Sequence, residues 1–178
     1  MELKSRLMDA ASVKRAVVRI SHEIIEHNHG TDGLALVGIR RRGVPLAREI
    51  AGNIFGIENV RLPVGELDIT LYRDDLTALG SGARINATSV PFDVTGKKLI
   101  LVDDVFYTGR TVRAAIEAIF SLGRPECIQL AILIDRGHRQ LPFRADFIGK
   151  NVPTSQSEVI KVMVPDIDGE SGVFLYGR

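Results

Sequence analysis

Apolar residues recur along this chain in two alternating rhythms, helical stripes and short unbroken runs, and the alternation predicts the architecture. Val13, Ala16, Val17, Ile20 and Ile24 share one face at helical spacing, while Arg15, Arg19 and His22 lie along the opposite face. Asp9 is placed to cap this helix, which is expected to run to about Asn28 and to stop at Gly30. The run LALVGI, Leu34 to Ile39, then reads as a buried strand ended by a basic, glycine-containing turn. From Pro45, PLAREIAGNIFGI reads as a helix, with proline near the first turn where a missing N–H costs little. The same pairing returns downstream. KKLILVDD is a buried strand, TVRAAIEAIFSLG a helix ending at Gly123, and CIQLAILIDRG a third buried strand. Strand-like runs also cover Asn59 to Tyr72, and short strands are expected near Phe147 to Val152, Val159 to Val164 and Val173 to Tyr176.

Buried strands alternating with helices imply an α/β fold, a central, mostly parallel sheet flanked by helices on both faces. With no internal repeat and no linker, residues 1–178 are expected to form a single domain. One stretch breaks the pattern. Arg73 to Gly96 lacks steady periodicity and carries Gly, Ser and Asn; so long a loop inside a compact domain is usually functional, often a lid.

Composition narrows the classes of function. Hydrophobic residues at 45% and charged residues at 25% are ordinary for a globular chain able to bury a core. No apolar run approaches the ~20 residues needed to cross a bilayer. The opening MELKSRLMDAAS lacks the apolar stretch of a signal peptide, so a cytoplasmic location without a membrane partner is expected. The only cysteine, Cys127, leaves no internal disulfide and is expected to be a small buried residue on a strand. Net charge is +1, so any attraction for nucleic acid must come from a local patch.

The chemistry concentrates in Leu99 to Thr111, LILVDDVFYTGRT. In open α/β sheets ligands bind beyond the carboxyl ends of the strands, and Asp103 and Asp104 stand at such an end. Tyr107, Thr108, Gly109, Arg110 and Thr111 then lead into a helix, whose N-terminus suits a phosphate. Gly109 permits close backbone approach, and Thr108 and Thr111 supply hydroxyls. Two carboxylates beside an anion site would repel it unless something separates them. A ribose does so, its paired hydroxyls donating to the acids while its phosphate reaches the turn beyond, with magnesium offsetting the remaining repulsion. An Asp-Asp pair by itself often does no more than cap a turn; the thirteen-residue combination is far more particular.

LILVDDVFYTGRT resembles the binding motif for 5-phosphoribosyl 1-pyrophosphate (PRPP) of the type I phosphoribosyltransferases. The resemblance implies that fold, with a small C-terminal hood and a flexible lid. It implies that Asp103 and Asp104 hold the ribose hydroxyls and that Tyr107 to Thr111 hold the 5′-phosphate. In that family the loop after the first core strand binds pyrophosphate, often with a non-proline cis peptide. Here that loop is GIRRRGVPLA, Gly38 to Ala47, which assigns the role to Arg40, Arg42 and Gly43. Arg41 stands where related proteins often carry threonine, and no catalytic role is given to it. The lid maps onto Arg73 to Gly96, with Arg73 as its charge contact.

VGELDITLYRDDL, LIDRGHRQLPFRADFIGKNVPTSQSE, GIRRRGVPLA and VKRAVVRISHEIIEHN together resemble, more narrowly, the pyrimidine operon attenuation regulators. This likeness covers nearly the whole chain. It implies two activities: uracil and PRPP giving UMP and pyrophosphate, with magnesium held mainly by PRPP rather than by protein ligands, and UMP-responsive binding of a pyrimidine operon mRNA leader. Asp135 and Arg136 are then expected near uracil, and a homodimer or homotetramer is implied. Arg139, Arg144 and Lys150, with Arg19 and His22 on the helical stripe, are the expected RNA contacts. Both basic clusters could equally be solvated faces. A purine or pyrimidine salvage phosphoribosyltransferase without an RNA role is the alternative.

Overall fold

The structure, a computed structural model, describes residues 1–72 and 88–177. In chain order these form β1 (Glu2–Met8), α1 (Ala10–His27), β2 (Leu34–Ile39), α2 (Gly43–Glu58), β3 (Val64–Leu67), a 3₁₀ turn (Thr70–Tyr72), β4 (Lys98–Phe106), α3 (Arg110–Leu122), β5 (Cys127–Asp135), β6 (Phe147–Asn151), β7 (Glu158–Met163), α4 (Pro165–Asp168) and β8 (Gly172–Gly177).

The expected parallel sheet is present, with five strands in the order β3-β2-β4-β5-β6 and every neighbouring pair parallel. All six residues of β2 are buried, which is why LALVGI shows no polar alternation. The pleat of β4 splits its side chains between two cores. Ile100 and Val102 pack with Ile20, Ile24, Ile50 and Ile54 of α1 and α2, whereas Leu99 and Leu101 pack with Val112, Ala115 and Ile119 of α3. Helix α1 begins where Asp9 accepts a hydrogen bond from the Ser12 N–H at 2.7 Å. It ends at Asn28, and the Gly30 N–H returns to the Ile25 carbonyl at 2.9 Å, start and stop as the pattern predicts.

Four details differ from the sequence-based expectation. The run from Asn59 to Tyr72 yields only the four-residue β3, because the Asp68 carboxylate accepts from the Thr70 N–H at 2.9 Å and hydroxyl at 2.6 Å and turns the chain. Strand β4 does not end at the acid pair; its ladder to β5 continues through Asp103–Ile132, Val105–Ile134 and Phe106–Asp135. Cys127 is only half-buried, since it opens β5 at the sheet's N-terminal edge. Finally, the N-terminal segment forms β1, an edge strand on an antiparallel sheet ordered β1-β8-β7, so the hood is built from both ends of the chain. Its first five residues are exposed, which hid it from a search for apolar runs.

Residues 73–87 of the expected lid, Arg73 among them, lie outside the described residues. The remaining stretch is tied to the body: Ser89 exchanges backbone hydrogen bonds with Glu66 at 2.7 and 2.9 Å, and the side chain of Val94 is buried.

Candidate active site

The carboxyl ends of β2, β3 and β4 converge on one cavity of about 290 Å³. It is lined by Arg40, Arg41, Arg42, Asp68, Thr70, Asp103, Asp104 and Thr111, with Ile39, Ile69 and Val105 beneath them. The structure thus brings the acid pair, the basic loop and the start of α3 to one place, although they are far apart in the sequence. A second cavity of about 680 Å³ adjoins it through Arg40, Arg41, Asp68 and Thr70.

The acid pair is fixed by backbone. The Asp104 N–H donates to Asp103 Oδ1 and the Val105 N–H to Asp104 Oδ1, both at 2.9 Å. Burial pushes the Asp104 carboxyl above the usual carboxylate range, against the opposing pull of its hydrogen bonds and of Arg42. Two adjacent carboxylates, each an acceptor when ionised, suit a ligand that donates hydrogen bonds, as paired hydroxyls do. Beyond them, Gly109 takes φ +93° to enter α3, a left-handed conformation that favours glycine, and the Thr108 carbonyl accepts from the Gln140 and Leu141 N–H groups. Thr111 stands in the first turn of this thirteen-residue helix, where backbone N–H groups have no intrahelical acceptor.

The basic loop joins β2 to α2 through a cis peptide between Arg40 and Arg41, the feature the resemblance implies. Gly43 is a requirement of packing: a Cβ there would stand 2.3 Å from the Val102 carbonyl oxygen. Helix α2 therefore starts flush against β4, beside the acids. Arg40 donates to Glu66 Oε2 from Nε at 3.2 Å and from Nη2 at 2.8 Å, and Arg48 pairs with the other oxygen of the same carboxylate. Arg42 makes the corresponding two-point contact with Asp168 of α4, at 3.2 and 2.7 Å. That pairing holds Asp168 below its ordinary value and raises Arg42. Arg41 is exposed.

At the end of β5, Asp135 is 3% exposed; it accepts from the Gly137 N–H at 3.0 Å and pairs with Arg139. Arg136, 7% exposed, turns toward the hood. It donates to Thr154 Oγ1 at 3.1 Å and to the Ser155 and Glu158 carbonyls at 3.3 and 2.9 Å, and its guanidinium lies 4.0 Å from the Tyr107 ring centroid. The His138 ring also meets Tyr107, edge-on at 6.0 Å.

The two basic clusters separated in sequence partly meet. Arg19 reaches from α1 to the Ile148 and Gly149 carbonyls of β6 at 3.3 and 2.5 Å, next to Lys150, and His22 is exposed one turn along. Arg144 is exposed just before β6. Arg139 turns instead to the end of β5, paired with Asp135 and 5.5 Å from the Phe106 ring centroid.

Sequence reasoning missed Asp68, Thr70, Glu66 and Asp168. The first two follow the end of a strand, GELDIT, and the strand-end rule could have found them. Asp168 carries no such signal. The cavity's polar lining offers oxygen donors (Asp68, Asp103, Asp104, Thr70 and Thr111), a set that suits a hard cation such as magnesium. Among the described residues no three carboxylate, imidazole or thiol groups converge as a metal site.

Comparison with known proteins agrees with this geometry. The phosphoribosyl transferase domain family matches residues 5–165. Proteins called "Bifunctional protein PyrR" are similar over the whole chain. One from Thermus thermophilus is 60% identical over 178 residues, covering 100% of this chain and 98% of its own. That of Caldicellulosiruptor bescii is 57% identical over 175 residues, covering 98% and 96%. Among solved structures, the hypoxanthine phosphoribosyltransferase of Trypanosoma cruzi superposes with a TM-score of 0.73 at 15% identity, over 98% of this chain and 97% of that one. The enzyme from Staphylococcus aureus gives 0.72 at 14%, over 99% and 94%. At such identities these two establish the shared fold alone. No helix among the described residues is long and apolar enough to cross a membrane. From an acid pair on β4, a basic loop after β2 and a likeness that spans the full chain, it follows that this protein belongs to the phosphoribosyl transferase domain family and, within it, to the bifunctional PyrR proteins.

Proposed function

We propose that this chain transfers the phosphoribosyl group of PRPP to uracil, giving UMP and pyrophosphate, and that it binds a pyrimidine operon mRNA leader in response to UMP. The observation that carries the reading is the single cavity in which Asp103 and Asp104 lie between the Arg40–Arg42 loop and the start of α3. That order matches PRPP from end to end. The N-terminal turn of α3, with Thr108 and Thr111, receives the 5′-phosphate, and the acid pair accepts from the ribose hydroxyls. The basic loop lies against the pyrophosphate. As the C1′–O bond breaks, charge accumulates on the departing pyrophosphate, and fixed guanidinium and N–H donors stabilise it most where they need not reorganise. N1 of uracil then bonds to C1′ and releases its proton to water. Magnesium would be held mainly by PRPP, with Asp103 and Asp104 near it, and would supply further neutralisation of that charge.

The base lies at the end of β5, near Asp135, Arg136 and Tyr107. The ties of Asp135 and Arg136 to Arg139 and to the hood suit them to shape the pocket, with backbone groups reading uracil's carbonyls and N–H. The α1–β6 face carrying Arg19, His22, Lys150 and Arg144 supplies the RNA contacts. Both substrates belong to the cytoplasm, where the chain works as a homodimer or homotetramer; Phe120 and Leu122, exposed on α3, are suited to such burial.

Incubation with uracil, PRPP and magnesium tests the enzyme half, with hypoxanthine and guanine as controls. UMP is the expected product. Purine nucleotide without UMP would instead establish the salvage alternative.

A further inference from the structure

A carboxylate from the hood reaches into the basic loop, and its geometry assigns it a part in the reaction. Asp168 closes the short helix α4 between β7 and β8, 126 residues from the loop arginine it touches. Both of its oxygens are engaged. Oδ1 accepts from Arg42 Nη2 at 2.7 Å, while Oδ2 accepts from Arg42 Nε at 3.2 Å and from the Val164 N–H at 2.9 Å. The carboxylate is therefore held by its own backbone before it holds anything else.

The arginine it holds belongs to the loop proposed for pyrophosphate. Arg42 lines the cavity with Asp103 and Asp104 even while paired. A guanidinium carries five N–H donors in a planar fork. The pair uses the Nε–Nη2 edge, so the Nη1–Nη2 edge can receive a second anion without breaking the first contact. The pair is 34% exposed on the arginine side and 15% on the aspartate side, so its contribution to stability is small. Orientation is what a fixed two-point contact provides.

We propose that Asp168 is a positioning residue for phosphoribosyl transfer: it fixes the plane of the Arg42 guanidinium so that its second edge faces the pyrophosphate of PRPP. The inference rests on the proposed PRPP site and deepens it. Because pyrophosphate is present in PRPP and absent from UMP, the effect is selective. Asp168→Asn keeps the shape and one acceptor for Val164 but cannot form the charged two-point contact.

The test measures PRPP, pyrophosphate and UMP binding by calorimetry, with steady-state KM values for PRPP and uracil, in Asp168→Asn, Asp168→Ala, Arg42→Ala and the double variant Asp168→Ala/Arg42→Ala. The expected result is PRPP and pyrophosphate affinity weaker by roughly tenfold, the scale of one hydrogen bond to a charged group. UMP affinity and uracil KM stay within about twofold, and the Asp168→Ala loss vanishes in the Arg42→Ala background. Unchanged PRPP affinity in Asp168→Asn overturns the proposal. So does an equal loss for UMP, or a full Asp168→Ala loss that persists without Arg42, since each makes Asp168 a structural residue only. Should Asp168→Ala not fold, the Asn variant decides. Failure of the wild-type protein to bind PRPP at all would instead remove the site reading beneath the proposal.

Discussion

The five-stranded sheet and the hood solve opposite problems. In the sheet, β2 is wholly buried and β4 is buried through its first six positions bar Lys98, and the acid pair sits within that ladder, just short of the carboxyl end of β4. In the hood, β1 is mostly exposed and β8 mostly half-buried. Polar contacts attach the hood to the body: Arg136 to Thr154, Ser155 and Glu158, Arg42 to Asp168, and Lys150 to the Leu7 carbonyl at 3.3 Å. Apolar packing contributes as well, through Ile160, Val162, Val164 and Val173 in the core shared with α1 and α2. The difference teaches where precision is built in. In the proposed site, the phosphate and ribose half rests on close packing, whereas the pyrophosphate and base half also draws on a few directed charges spanning two sheets.

The largest effect expected from this contrast is on stability. Leu101→Ala, in the core between β4 and α3, should cost about 2–5 kcal/mol in chemical denaturation, as truncations of buried leucines do. Leu3→Ala on β1, where the side chain is 53% exposed, should change stability by less than about 0.5 kcal/mol. Equal losses would mean that the hood is as tightly packed as the sheet.

A smaller effect comes from the acid pair. Because the folded state raises Asp104, the folded protein binds that proton more tightly than the unfolded chain does. Stability of the ligand-free protein should therefore decline as pH rises from the ordinary carboxylate range through the raised folded value. Asp104→Asn should flatten that decline without lowering stability at neutral pH. Urea midpoints across a pH series check both, and a steeper decline in the variant would contradict the assignment of burial as the cause.

The smallest effect concerns the outer face. Arg144→Ala or Lys150→Ala should each lower the salt-dependence slope of leader-RNA binding by about 0.7 to 0.9 per lost phosphate contact, measured by filter binding. UMP synthesis should hardly change. Arg139→Ala should behave differently and impair UMP synthesis, because its partner is Asp135 at the proposed base pocket. If Arg139→Ala resembles the other two, the division of the basic residues between two sites is wrong.

Much of this was legible in the sequence, for identifiable reasons. Strands buried on both faces leave unbroken apolar runs, so β2, β4 and β5 stand out. The strand-end rule then places Asp103, Asp104 and the arginine loop at one edge. What stayed hidden depends on partners far along the chain. The exposed strand β1 exists only because β8 pairs with it. Asp168 pairs with Arg42, 126 positions away, and Asp135 pairs with Arg139, four residues on. Local patterns report burial and turns; they do not report which charge will find which.

On this account Asp103 and Asp104 hold the ribose of PRPP inside the shared cavity, and calorimetric titration of PRPP with magnesium tests that role most directly. The wild-type protein should bind PRPP. The double variant Asp103→Asn/Asp104→Asn should remain folded yet bind it at least about a hundredfold more weakly, the scale on which a preorganised electrostatic contact is lost. Undiminished PRPP affinity in a folded double variant would contradict the account.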